Sequence, residues 1–124
     1  MPVITAATAP THQAGATRFT SLATPSRGSR RTSVWQVDVP AFETGTAHTL
    51  LDEEIFVVLA GTARVDLDGE TSTAMVGDAI VVPPGVSFAL GSAGAEDARL
   101  LCCQPAGGRA QLPDGEPFTP PWAL

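Results

Sequence analysis

The 124-residue chain contains no lysine, asparagine or tyrosine, and all seven of its basic residues are arginines. Thirteen acids against those seven bases leave a formal charge of −6. A nucleic-acid binder needs a basic footprint, so the balance argues against that class. The same sign argument tells against an anionic membrane surface. Long hydrophobic runs are missing too: the longest wholly apolar stretch, Ile55 to Ala60, falls far short of the roughly 20 residues that span a bilayer. The segment from Met1 to Ala9 lacks the basic leader of a secretory signal. Cysteine is scarce, and the two present, Cys102 and Cys103, are adjacent. Neighbours on a strand point to opposite faces, so the pair suits neither a normal disulfide nor a shared metal ion. A reducing, cytoplasmic setting is the expectation.

What remains is a chain with 44% hydrophobic residues, 12 glycines and 11 prolines. Its length suits one domain with a radius of gyration of about 14 Å, which leaves room for one core and one central pocket. Glycine and proline recur at short intervals, the punctuation of an all-β chain. About eight to ten strands in one domain imply a sandwich or a small closed barrel. Residues 1–32 read as an N-terminal arm of the same domain, with short strands at Val3–Ile4 and Arg18–Leu22. Pro25 to Arg31 reads as a loop whose three arginines either clamp an anion or are simply solvated. Residues 33–104 carry the barrel. Trp35, Val37 and Val39 alternate with Gln36 and Asp38, giving one buried and one wetter face. Between Glu54 and Ala60 both faces are apolar, so both are expected to be covered, the outer one by a second sheet, the arm or a second subunit. Asp68-Gly69 signals a hairpin, and Pro83-Pro84-Gly85 ends an apolar strand. Residues 105–124 form a Pro-rich extension, extended rather than helical, whose Phe118 and Trp122 either pack across a subunit surface or fray.

Two glycine- and proline-framed patterns stand in order on this β background. His48, Leu50, Glu54 and Gly61 form the first; Gly77, Pro83, Gly85, Phe88 and Ser92 form the second. From Ser33 to Cys103 the chain resembles a cupin. The family's first motif runs Gly, five residues, His-x-His, three or four residues, Glu, six residues, Gly. Its second runs Gly, five residues, Pro-x-Gly, two residues, His, three residues, Asn. Gly45 stands too close to His48 to open the first motif in register. The resemblance implies a single-domain cupin-type β-barrel, the double-stranded β-helix or jelly roll.

In metal-binding cupins the two His and the Glu of the first motif and the His of the second hold a divalent ion. Here Leu50 and Phe88 replace two of these, and neither side chain can donate a lone pair. His48 and Glu54 alone fall short of the three protein ligands usual even at an open catalytic site. No cofactor is therefore expected. A weak divalent ion would need His48 and Glu54 plus rescue ligands from outside the motifs: His12, Cys102 or Cys103, Gln104, Asp52.

The resemblance points even-numbered residues of the first motif inward. The expected pocket holds His48, Leu50, Glu54, Phe56 and Phe88, with Trp35 beside them: one His and one Glu among apolar walls, as in small-molecule sites. Three readings follow. One is a metal-independent cupin that binds a small, largely apolar organic molecule. A second is a metabolic enzyme of isomerase, cyclase, lyase or dioxygenase type, with Glu54 and His48 as acid and base. A third is a structural or regulatory dimerisation module. In an inert site Glu54 and His48 would simply hydrogen-bond each other as a buried polar pair, or Glu54 would be partly hydrated. The doubly apolar strands and the resemblance both favour a homodimer.

Overall fold

The computed structural model describes residues 3–124, so Met1 and Pro2 of the arm lie outside the described residues. The strands in chain order are β1 (Thr11–Ala14), β2 (Thr17–Ala23), β3 (Thr32–Val39), β4 (Thr49–Leu50), β5 (Glu54–Ala60), β6 (Ala63–Leu67), β7 (Glu70–Ala74), β8 (Ala79–Val82), β9 (Phe88–Ser92), β10 (Ala98–Pro105) and β11 (Ala110–Gln111). Helical structure among the described residues is limited to three single 3-10 turns, Ala6–Thr8, Pro25–Arg27 and Pro121–Ala123.

Six strands form the larger sheet in the order β1-β2-β3-β10-β5-β8, and β7-β6-β9 form the smaller one. Every strand pair in the structure is antiparallel. The pairing is nested: β3 lies on β10, β5 on β8 and β6 on β9, while a bridge between His48 and Phe88 ties the β4 segment to the start of β9. The result is an all-β jelly roll.

Alternation decides which side chains enter it. Along β3, Ser33, Trp35, Val37 and Val39 are buried; along β10, Ala98, Leu100, Cys102 and Gln104; along β5, Glu54, Phe56 and Val58. Val65 and Phe88 meet them from the smaller sheet. Each such Val, Leu or Phe contributes about 1.5–3 kcal/mol by leaving water. Two glycines allow the sheets to close. Gly61 has φ +70° and Gly45 φ +80°, and a Cβ at either would overlap a backbone carbonyl, of Asp97 and Leu90 respectively.

Several expectations need correction. Val3–Ile4 is not a strand; the arm begins its sheet at β1, which carries His12 and pairs with β2. Arg27 is no anion clamp, because its guanidinium donates to the carbonyls of Ser21 (2.6 Å), Leu22 (2.8 Å) and Thr5 (2.9 Å) and so ties the arm down. Arg30 and Arg31 are solvated. The outer face of β5 is left uncovered within the chain: Leu59 is 44% exposed and the neighbouring Val81 50%. The C-terminal extension does not fray. It folds back on its own barrel, where Trp122 stacks on Phe19 at 3.7 Å between ring centroids and Ala123 is buried. Ser21 Oγ donates to the Trp122 carbonyl (2.7 Å) and Ser26 Oγ to that of Leu124 (2.6 Å). Its last residues also turn into 3-10 geometry at Pro121–Ala123, because proline suits the first position of such a turn.

Candidate functional site

One end of the barrel interior is filled by core side chains and the other encloses a cavity of about 360 Å3. The walls come from β3, β4, β5, β9 and β10, and the mouth from the turn between β1 and β2 and from the C-terminal extension. His48, Leu50, Glu54, Phe56, Phe88 and Trp35 all line this one cavity. The inward parity of β5 delivers Glu54 and Phe56; the bridge to β9 fixes His48 against Phe88, whose rings lie 4.3 Å apart. The Phe56 and Phe88 rings follow at 6.0 Å. Leu50 and Phe88 are 3% and 2% exposed, so they fill the barrel where the family's motifs would place ligands.

Glu54 is the acid in the cavity floor, 5% exposed. Burial raises its pKa to about 7, against a smaller lowering by a hydrogen bond from Cys102. That bond runs from the Cys102 thiol to Oε1 at 2.9 Å. Among the described residues no protein group bonds the second oxygen, Oε2, and the buried polar atom left without a partner in the cavity wall is Trp35 Nε1. Burial and the adjoining carboxylate push the Cys102 thiol well above its ordinary range, so it stays a protonated donor. Burial lowers the pKa of His48, partly offset by a bond to the Thr46 carbonyl at 2.8 Å. A carbonyl only accepts, so Nδ1 carries the proton and the neutral ring keeps its lone pair on Nε2.

Glu54 and His48 do not hydrogen-bond each other: Cys102 holds the one and Thr46 the other. The donor set does not fit a cupin-type metal ion. Among the described residues no group of three or more His, Cys, Asp or Glu side chains is placed to hold one. The rescue candidates do not assemble either. His12 lies on β1 in a separate open groove with Arg18, Asp38 and Asp97, and Asp52 is exposed. Cys103 faces outward from β10, whereas Gln104 does line the cavity, its amide turned to the Gly108 carbonyl at 3.4 Å.

Sequence reasoning missed the roof. Phe19, Phe118, Pro120 and Trp122 complete the cavity from segments outside the motifs. The Phe118 signal was present but ambiguous: its backbone pairs with Ala110 in both directions, at 2.8 and 2.9 Å, a contact that no local pattern announces. The role of Cys102 was equally hidden, since its partner stands 48 residues away.

The family model of the cupin domain matches residues 35–103. No curated protein sequence matches the chain. Among solved structures the chain is similar to the polyketide cyclase RemF from Streptomyces resistomycificus, at 19% identity and a TM-score of 0.78 over 98% of this chain and 88% of that one. It is also similar to a cupin-like protein from Thermotoga maritima, at 21% identity and a TM-score of 0.71 over 81% of this chain and 77% of that one. The EutQ protein of Clostridium difficile matches at 26% identity and a TM-score of 0.63, over 73% of this chain and 69% of that one. With the motif spacing, the nested antiparallel strands and the family match all in agreement, the chain belongs to the cupin family.

Proposed function

We propose that this cupin binds a small, largely apolar organic molecule in its barrel, without a tightly held metal. One observation carries the reading: a cavity of about 360 Å3 with aromatic and aliphatic walls and a single deeply buried acid, Glu54, at its floor. Its volume lies at the lower end of the roughly 300–1,000 Å3 typical of ligand sites. Leu50 and Phe88 have taken two of the four positions that a metal would use, and what they offer instead is apolar surface. The test is a thermal-shift screen of metal-stripped protein against small aromatic compounds. Binders raise the melting temperature; if none does while the barrel stays folded, the reading fails.

A second reading is favoured by the pKa of Glu54. A carboxyl poised at about 7 in an enclosed site is suited to general acid or base work near neutral pH. The polyketide cyclase similarity, over 98% of the chain, makes proton transfer during a ring closure the reaction to try first. Glu54 would move the proton, with the free lone pair of His48 in the same cavity as its candidate counterpart. Glu54→Gln should then abolish turnover while the folded variant still binds neutral aromatic compounds.

The uncovered outer face of β5 and β8 supports a third statement. Leu59 on β5 and Val81 on β8 are 44% and 50% exposed at one edge of the larger sheet, and Met75 and Val76, 65% and 63% exposed, lie in the turn that leads into β8. We propose that a second copy of the chain covers them, giving a two-fold dimer. Light scattering at micromolar concentration checks this directly. No helix among the described residues is long and apolar enough to cross a membrane.

A further inference from the structure

The charge of the cavity is as one-sided as that of the whole chain. No arginine lines it, although the chain has seven. Its acidic side chains are Glu54 at the floor, whose ionised form a bound cation would favour, and Glu43 at the rim, where Oε1 accepts the Gly45 N–H at 3.1 Å. His48 brings no cation, because burial holds its ring neutral. An anionic ligand would therefore sit beside a buried acid with no counter-charge, which is the most costly arrangement an apolar interior can offer.

The acid and the aromatic walls favour the opposite sign, against one unpartnered donor on the wall, the Trp35 indole N–H. Glu54 is 5% exposed, its Oε1 is taken by Cys102, and its Oε2 has no protein partner. Six aromatic side chains line the space, and Trp35, Phe56 and Phe88 stand on the walls around that acid. Aromatic faces carry a negative quadrupole, and a carboxylate with an aromatic surround is the recurring recognition device for ammonium groups. A cation of this kind needs no strongly hydrated surface, so it can enter an apolar barrel that would refuse a metal ion. The formal charge of −6 adds a long-range field that concentrates cations near the mouth.

We infer that the cavity takes an organic cation: a small, largely apolar amine or quaternary ammonium compound whose charge lies against Glu54 Oε2 and the faces of Trp35, Phe56 and Phe88. The inference rests on the small-molecule reading above and names its ligand class. Three probes of similar shape separate the two. Calorimetric titration of the wild-type protein uses benzyltrimethylammonium, neutral neopentylbenzene and anionic phenylmethanesulfonate. The cation should bind about tenfold or more tightly than the neutral compound, as desolvated cation–π and charge pairing allow, and the anion should not bind. In Glu54→Gln, shown to be folded by its circular dichroism, the preference should shrink to within about threefold while the neutral compound binds as before. Neutral binding equal to or tighter than the cation's overturns the inference and leaves the small-molecule reading standing. Cation preference that survives in the folded Glu54→Gln variant overturns the assignment to Glu54. Failure of all three probes overturns both.

Discussion

The two ends of the barrel interior are made from the same strands and enclose different things. At the closed end Val58, Val65, Ile80, Ala98 and Leu100 join the buried core from both sheets and do not line the cavity. At the open end the same alternation along β3, β5 and β10 delivers Trp35, Glu54, Phe56 and Gln104 around empty volume. On β5 the change takes only four residues, from Val58 back to Glu54. The lesson is that strand parity fixes which residues face inward, while the side chains chosen at each level decide whether the inside is core or site. The closed end stabilises. The open end holds a carboxyl whose burial costs free energy, and that is why the proposed function centres on it.

Substitutions should separate the two ends. Leu100→Ala, at a side chain with no exposure, should cost about 2–5 kcal/mol in urea unfolding and leave ligand affinity nearly unchanged. Glu54 should show the reverse. Its folded pKa of about 7 lies above the ordinary 4.5, so the folded state binds the proton more tightly. Stability is then fully present below the unfolded pKa and is lost as pH rises from about 4.5 towards 7. The loss is of order 3 kcal/mol from a shift of this size. The difference in unfolding free energy between wild type and Glu54→Gln, followed across that pH range, should display this slope; a flat difference would mean that Glu54 is ordinarily hydrated. Trp122→Ala, which removes the stacked lid of the open end, should cost about 1–2 kcal/mol and speed ligand dissociation. The smallest effect is expected outside the barrel. Leu59→Ser should change monomer stability by less than about 0.5 kcal/mol and instead shift the dimer towards monomer in light scattering.

Much of this comparison was legible before the structure. The alternation of Trp35, Val37 and Val39 and the turn residues at Gly61, Asp68-Gly69 and Pro83 to Gly85 place strands without ambiguity, because strand sterics and turn dihedrals are local. Even-numbered parity placed Glu54 and Phe56 on one face for the same reason. What stayed hidden depends on chain segments far apart in sequence. The Cys102 thiol meets Glu54 only because β10 lies between β3 and β5, with Cys102 opposite both Trp35 and Phe56. Trp122 finds Phe19 across most of the chain, and proline-rich segments have no period to reveal it. Apolar residues on the outer face of β5 suggested cover, but hydrophobicity does not say whether the cover belongs to the same chain. The structure leaves Leu59 and Val81 open within the chain, which is why the proposed dimer places a second copy there.

The central claim is that the open end is an organic ligand site rather than a metal site. Its most direct test is the melting temperature of the purified protein before and after exhaustive chelation, each with and without benzyltrimethylammonium. The account predicts that chelation leaves the melting temperature unchanged and that the ligand raises it equally in both samples. A melting temperature that falls on chelation, returns with a divalent ion and does not respond to the ligand would contradict it.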